Sequence, residues 1–190
     1  MSGSARARVS RKRGKLQNTT VIVSADHGET FEGGIFQHGN PEQMRPVIHV
    51  PLIIKTLGQQ RRRELAVTAD QTSLAPTILE LAGLPKPDWM RGQSLVAWLN
   101  DNEQAHGKGL AFTQYLEKNS VSRLLRHGTV GVIDDEFQYV LDFDTQKGML
   151  RPLNEAQIWD LDRSAENPAK AEQLRTAIYA RFPELRRESK

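Results

Sequence analysis

The 190-residue sequence contains no cysteine. This absence excludes disulfide bonds, thiolate metal ligands and a cysteine nucleophile, but it does not define a cellular compartment. No apolar run approaches the roughly 20 residues that a membrane-spanning helix needs, and the basic start is not followed by the apolar segment of a secretory signal peptide. We therefore expect no membrane partner, and a cytoplasmic location is the default expectation.

Positive charge is concentrated near residue 1. The chain has 26 Lys and Arg against 23 Asp and Glu, a net charge of +3. Six of the basic residues precede Asp26, the first acidic residue, so the remainder has 20 basic and 23 acidic residues, a net charge of −3. Residues 1–11 are predicted to form a disordered basic tail. Because the tail is short and lacks interleaved aromatic residues, we favour a solvated segment over a nucleic-acid-binding arm.

The most informative stretch is residues 20–29. Val21, Ile22 and Val23 form an apolar, β-branched run, which predicts a buried parallel strand. Asp26 and His27 follow where that strand ends, and ligands of α/β sheets bind at the carboxyl ends of strands. Neighbouring strand residues point to opposite faces, so both side chains can reach one ion only at a turn, which Gly28 permits. Carboxylate oxygen and imidazole nitrogen both bind divalent cations.

This stretch predicts a metal-binding pair at Asp26 and His27. The alternative is that Asp26 caps a following helix and that His27 is an ordinary surface residue. A loop of about twenty residues follows, and loops of that length are usually functional or disordered. Residues 47–55 are predicted to form the second strand, with Pro51 at an edge position or at the beginning of the strand.

Residues 70–82 give the clearest helix prediction. Asp70 is a suitable N-cap, and Leu74, Ile78 and Leu81 share one face at i, i+4 and i+7. Pro76 is tolerated best in the first turn, so the regular helix should begin near residues 73–75. Gly83 should end the helix.

After residue 109 the pattern changes to strands. Residues 110–116, 129–133 and 136–143 are predicted strands, with a hairpin turn at Asp134 and Asp135. Residues 157–161 could add a strand. A final helix should begin after Asn167, with Pro168 at its first position and with its buried face formed by Leu174, Ile178 and Phe182.

The order of these segments resembles the C-terminal part of the sulfatase family, within the alkaline phosphatase superfamily. The resemblance runs from about Lys12 to Leu174. The segments that carry it are Asp26-His27-Gly28-Glu29, His38-Gly39, residues 50–54, residues 76–83, Gly92-Gln93-Ser94-Leu95 and residues 157–161. It implies an α/β fold with a partial alkaline-phosphatase-like three-layer sandwich in residues 12–105. A small C-terminal antiparallel sheet with a packed helix would follow in residues 106–190.

The resemblance also implies chemistry. Asp26 and His27 would bind a divalent metal, with calcium favoured and magnesium, manganese or zinc as alternatives. The metal would neutralise the oxygens of an anionic sulfate or phosphate ester. His38 would contact the substrate. Many sulfatases place a lysine shortly after the corresponding His-Gly, whereas here the first lysine after His38-Gly39 is Lys55.

The nucleophile of the family is missing from this sequence. Sulfatases use a formylglycine made from the first residue of a Cys/Ser-x-Pro-x-Arg motif, and no such motif occurs here. We therefore expect an incomplete sulfatase-type hydrolase that supplies metal ligands but no catalytic nucleophile, with weak metal affinity or none. It would need a separate N-terminal half or self-association. The alternatives are a phosphate or phosphonate ester hydrolase or transferase fragment, and a non-catalytic remnant or interaction module.

Overall fold

The computed structural model describes residues 15–31, 43–100, 109–116, 127–154 and 161–186. The chain divides into two compact units. The first unit consists of residues 1–38 and 45–64, and the second consists of residues 39–44 and 65–190. The basic tail, His38 and all but the last residue of the predicted strand 157–161 lie outside the described residues. Within the described ranges, no helix is long and apolar enough to cross a membrane.

The first unit is built on a two-stranded antiparallel sheet. Strand β1 (Val21–Ser24) follows a 3-10 helix, and strand β2 (Leu52–Lys55) follows the short helix α1 (Arg45–Ile48). The ammonium of Lys55 donates a hydrogen bond to the carbonyl oxygen of Thr19 at 3.0 Å and another to Leu16 in the 3-10 helix (Lys15–Asn18). Lys55 thereby fixes the chain that leads into β1.

The strand before Asp26 differs from the prediction. Val23 is 50% exposed and Ile53, directly opposite it on β2, is 61% exposed. The prediction of a buried parallel strand was therefore wrong: in the part of the chain that the structure describes, β1 pairs with β2 alone, and antiparallel. The apolar run predicts an extended backbone but does not predict which strand pairs with it. A buried central strand and a strand of a two-stranded sheet can have the same apolar sequence pattern.

The predicted second strand is also shorter than expected. Residues 45–48 form α1, and β2 begins at Leu52, directly after Pro51. The alternative that the strand starts next to Pro51 is therefore confirmed, since proline at that point removes no hydrogen bond from the strand pairing.

The described part of the second unit contains four short helical segments, a four-stranded antiparallel sheet and a long helix. The sheet has the order β3-β4-β5-β6, and each strand pairs with the next one in sequence. In chain order, the described elements of this unit are a 3-10 helix (Gln71–Ser73), α2 (Leu74–Leu81), α3 (Val96–Leu99), β3 (Ala111–Leu116), β4 (Gly128–Ile133), β5 (Phe137–Asp142), β6 (Gly148–Pro152), α4 (Pro168–Arg181) and a 3-10 helix (Pro183–Leu185).

The core of the second unit lies between this sheet and α4. Leu141 and Leu150 from the sheet are fully buried, as are Leu174 and Ile178 from the helix. The predicted start of α4 and its buried Leu174 and Ile178 are confirmed, whereas Phe182 is partly buried. Strands β3, β4 and β5 are confirmed to within a residue or two at each end. Strand β6 was not predicted.

The helix predicted at residues 70–82 is confirmed with one correction. Asp70 accepts a hydrogen bond from the Thr72 amide at 3.0 Å and so caps the 3-10 helix Gln71–Ser73, and regular α2 begins directly after it at Leu74. The predicted buried face is wrong at Ile78, which is 52% exposed. The helix instead buries Pro76 and Thr77. The spacing of apolar residues does not identify a buried threonine. Thr77 is suited to burial here because its hydroxyl both donates and accepts a hydrogen bond.

The turn after β4 depends on the buried carboxylate of Asp134. Its Oδ1 accepts from the amides of Glu136 at 2.8 Å and Phe137 at 2.7 Å, and its Oδ2 accepts from Lys170 Nζ at 3.0 Å. Burial by itself raises the pKa of this carboxyl, but the two amides and the Lys170 charge outweigh it, so the pKa is lowered below its ordinary value. The hairpin turn predicted at Asp134 is confirmed.

We expect Asp134→Asn to lower the free energy of unfolding at neutral pH by about 1–3 kcal/mol, because charge-assisted hydrogen bonds are lost. A lowered folded-state pKa contributes stability that is complete above the unfolded pKa of about 3.9 and is lost as pH falls through the folded value. The difference between wild type and Asp134→Asn should therefore shrink below about pH 4. Urea denaturation at pH 7, 4 and 3 measures it. A difference that stays constant with pH would contradict the assignment.

Candidate metal centre

The turn after β1 carries Asp26 and His27. The His27 amide donates to Asp26 Oδ1 at 3.0 Å, and His27 Nε2 lies 3.9 Å from Asp26 Oδ2. The Asp26 side chain is 91% exposed and that of His27 is 45% exposed. The turn therefore brings the carboxylate and the imidazole together at an accessible surface instead of pointing them to opposite faces.

The His27 ring is oriented by its own backbone. Nδ1 lies 2.8 Å from the carbonyl oxygen of Gly28, and a carbonyl can only accept a hydrogen bond. Nδ1 therefore carries the proton in the neutral ring, and the lone pair is on Nε2, the nitrogen that faces Asp26. Metal-binding histidines are commonly oriented by such a hydrogen bond on the other ring nitrogen.

Gly28 holds the turn against α1. Its amide donates to the Val47 carbonyl at 2.7 Å, and a Cβ at this position would lie 2.0 Å from the Pro46 carbonyl oxygen. The sequence indicated glycine here as the residue that permits a bend. The structure gives another reason for it, which is the close approach of two backbone segments.

The two side chains fit part of a cation shell. Metal–ligand distances are about 2.0–2.6 Å, so one ion can contact both Nε2 and Oδ2 across a 3.9 Å separation. Among the residues that the structure describes, no group of three or more His, Asp or Glu side chains is placed to hold a metal. Asp26 and His27 thus stay predicted ligands, with a geometry that suits the role. The predicted substrate contact, His38, lies outside the described ranges.

A buried glutamine, Gln43, fixes the chain at the start of the described range 43–100. Gln43 is 3% exposed, and its Nε2 donates to Thr129 Oγ1 at 2.9 Å, while its Oε1 accepts from the Thr113 hydroxyl. Its backbone carbonyl accepts from Gln138 Nε2 at 2.9 Å. Sequence reasoning missed this residue, because a glutamine in the polar stretch at residues 40–43 is typical of a solvated loop. All of these partners belong to the second unit.

Comparison with known proteins places residues 11–84 in a family, since that segment matches the sulfatase family model. The matched segment includes β1, Asp26, His27 and α2. The likeness to sulfatases is thus shown for these 74 of the 190 residues. The chain's relatives within the wider superfamily include both hydrolases and mutases, so the family alone does not define the ester.

Two curated relatives illustrate this range. The chain is 36% identical over 80 residues to a 2,3-bisphosphoglycerate-independent phosphoglycerate mutase of Acetivibrio thermocellus, covering 42% of this chain and 15% of the relative. It is 34% identical over 89 residues to arylsulfatase K of Bos taurus, covering 45% of this chain and 16% of the relative. The aligned part of this chain therefore spans about 15% of the length of these proteins.

Solved structures confirm the α/β, alkaline-phosphatase-like fold class. A phosphonate monoester hydrolase from Silicibacter pomeroyi has a TM-score of 0.74 at 20% identity, covering 95% of this chain and 38% of that one. The phosphonate monoester hydrolase of Agrobacterium radiobacter has a TM-score of 0.72 at 18% identity, covering 96% and 38%. At these identities the likeness concerns the fold, and the chemistry depends on the site residues.

Proposed function

We propose that this chain contributes Asp26 and His27 to the divalent metal centre of a sulfatase-type hydrolase of sulfate esters. The observation that carries the proposal is the convergence of Asp26 Oδ2 and His27 Nε2, 3.9 Å apart on an accessible turn. When bound, the cation supplies charge neutralisation for the non-bridging oxygens of the ester. Asp26 contributes the negative charge that holds the cation, and His27 contributes a neutral nitrogen whose tautomer is fixed by Gly28.

Calcium is the proposed metal, because the sequence resembles sulfatases and because hard cations prefer carboxylate oxygen as a ligand. A histidine ligand also suits manganese or zinc, and magnesium accepts carboxylate as well. Titration with each cation separately distinguishes them.

A second candidate is a phosphate or phosphonate ester as the substrate. Two observations favour it. No lysine follows His38-Gly39 before Lys55, unlike many sulfatases, and the chain is 36% identical over 80 residues to a phosphoglycerate mutase. With metal present, tighter binding of inorganic sulfate than of methylphosphonate supports the first candidate, and the reverse order supports the second.

The proposal assigns no nucleophile to these 190 residues, because the sequence has neither cysteine nor a Ser-x-Pro-x-Arg motif. We propose that another polypeptide segment, or a second copy, supplies the nucleophile and the remaining ligands. The exposed Val23–Ile53 pair of the β1–β2 sheet gives such a segment an apolar surface to pack against. A non-catalytic remnant would have the same exposed sheet without the metal affinity.

Metal titration of the whole chain tests the proposal. We expect calcium or manganese to bind with a Kd of about 0.1–1 mM, since two protein ligands hold a hard cation weakly. Asp26→Ala and His27→Ala should each weaken binding by at least about tenfold, because each removes one ligand. Calorimetry measures the calcium affinity, and the paramagnetic broadening of water protons measures that of manganese.

A second Asp–His pair provides the matched control. His127 Nδ1 lies 2.8 Å from Asp144 Oδ1, which is direct hydrogen-bond contact and leaves no space for an ion between the two atoms. The side chains are 48% and 36% exposed, so the pair is accessible. His127→Ala and Asp144→Ala should leave metal affinity unchanged. Equal effects at both pairs, or no effect of Asp26→Ala, would refute the metal assignment.

A further inference from the structure

A cleft of about 490 Å³ opens on the second unit, and the proposed metal chemistry does not use it. Its walls come from α2, from the turn that follows α2 and from the segment before α3. They include Pro76, Glu80, Leu84, Lys86, Arg91 and Ser94. This volume lies within the roughly 300–1,000 Å³ of typical small-molecule sites. With Gln93, the lining thus combines two cations, one carboxylate, one hydroxyl, one amide and two apolar side chains.

Backbone contacts hold one wall of the cleft in place. The Thr77 hydroxyl donates to the Ser73 carbonyl at 2.6 Å and accepts from the Leu95 amide at 2.9 Å, which ties the segment before α3 to α2. A Cβ at Gly92 would lie 1.8 Å from the Thr72 carbonyl oxygen, so this segment packs directly on the neighbouring backbone. A wall fixed in this way needs little ordering when a ligand binds.

The two cations are held but not neutralised. Lys86 Nζ donates to the Met90 carbonyl at 2.6 Å, and Arg91 Nη1 donates to the Arg181 carbonyl at 2.9 Å. Within the described ranges, no ion pair joins either side chain to a carboxylate, and Glu80 in the same lining is likewise unpaired. An ammonium has three N–H donors and a guanidinium five, so both keep donors for an anion.

The turn between the two cations carries an exposed indole. The Met90 amide donates to the Pro87 carbonyl at 3.0 Å, and Trp89, next to Met90 in this turn, is 77% exposed. An exposed indole offers a flat apolar face with a polar edge, which suits stacking against a ring. Glu80 would repel a bare anion, but its oxygens accept hydrogen bonds from hydroxyl groups. A ligand with hydroxyls and one anionic group matches the charged and polar side chains of the lining, and a ring in that ligand matches Trp89 in the turn between Lys86 and Arg91.

We propose that this cleft binds an acidic sugar, a pyranose that carries a carboxylate or a phosphate. Lys86 and Arg91 bind the anionic group, Glu80 and Ser94 bind hydroxyls, and Trp89 contacts a face of the ring. The site is separate in its residues from Asp26 and His27, so it stands whether or not the metal proposal is correct.

Ligand-observed NMR on the full chain tests the site with four probes: glucuronate, glucose 6-phosphate, glucose and inorganic phosphate. We expect one of the two acidic sugars to bind at least about tenfold more tightly than glucose and than inorganic phosphate, and the stronger of them identifies the anionic group. Lys86→Gln and Arg91→Gln should each weaken that binding by about tenfold, since each removes a charge-assisted contact. Trp89→Ala should weaken it by about threefold or more.

Lys86, Trp89 and Arg91 are exposed, so we expect the three variants to fold as wild type does. Circular dichroism checks the fold of each variant. Arg61→Gln, a change of the same charge at an exposed residue of the first unit, is the matched control and should leave binding unchanged. The proposal is overturned if both acidic sugars bind no better than glucose or inorganic phosphate. It is also overturned if Lys86→Gln and Trp89→Ala bind the sugar as wild type does.

Discussion

Gly28→Ala is expected to weaken metal binding by at least about tenfold without removing a ligand. A Cβ at residue 28 would lie 2.0 Å from the Pro46 carbonyl oxygen, a separation that real Cβ atoms essentially never show. The backbone must therefore move, and the 2.7 Å hydrogen bond from the Gly28 amide to Val47 must lengthen or break. Since His27 is the preceding residue and its Nδ1 is bound to the Gly28 carbonyl, the movement reaches the ligand directly.

A glycine in the second unit separates this local effect from a general loss of stability. A Cβ at Gly109 would lie 2.0 Å from the Thr68 carbonyl oxygen, the same overlap with the same kind of atom. Both alanine variants should be destabilised, by about 1–3 kcal/mol as for other overpacked sites. Manganese titration should then show a loss of affinity for Gly28→Ala and wild-type affinity for Gly109→Ala. Equal affinities in the two variants would show that backbone contact at Gly28 does not position the site.

The elements that the sequence predicted well are those whose signals are local. Asp70 caps the 3-10 helix that leads into α2, Pro168 begins α4 and the Asp134 carboxylate closes the hairpin. Each depends on hydrogen bonds or dihedral angles within a few residues. The convergence of Asp26 and His27 was also accessible from sequence, because it needs only a strand end and a turn. Residue type and spacing were sufficient for these features.

The features that sequence reasoning missed depend on distant partners. The pairing of β1 with β2 joins residues about thirty positions apart, and nothing in Val21–Ser24 encodes whether the partner is parallel. Gln43 is buried because Thr113, Thr129 and Gln138 surround it, each at least 70 positions away in sequence. Ile78 has the right helical spacing for a core position, yet the helix buries Thr77 instead, since a hydroxyl with two hydrogen bonds is acceptable there.

Ile178→Ala is expected to lower the free energy of unfolding of the second unit by about 2–5 kcal/mol. Ile178 is 0% exposed and packs in the cluster that joins α4 to β4, β5 and β6. Removing its outer carbons loses their transfer free energy and leaves a cavity, because Leu141, Leu150 and Leu174 around it are themselves held by the sheet and the helix. With typical domain stabilities of about 5–15 kcal/mol, the loss would be a large fraction of the total.

Ile78→Ala is the matched control, because it makes the same substitution in a helix at a side chain that is 52% exposed. We expect it to change stability by no more than about 1 kcal/mol, since little burial is lost and alanine has the higher helix propensity. Urea denaturation followed by tryptophan fluorescence measures both variants, with the buried Trp98 of the second unit as a reporter. If Ile178→Ala lowers the free energy of unfolding by no more than Ile78→Ala does, then the contact between the sheet and α4 is not the core of this unit. In that case the spacing of apolar residues would predict the burial of Ile78 in α2 as well as it predicts the burial of Ile178 in α4.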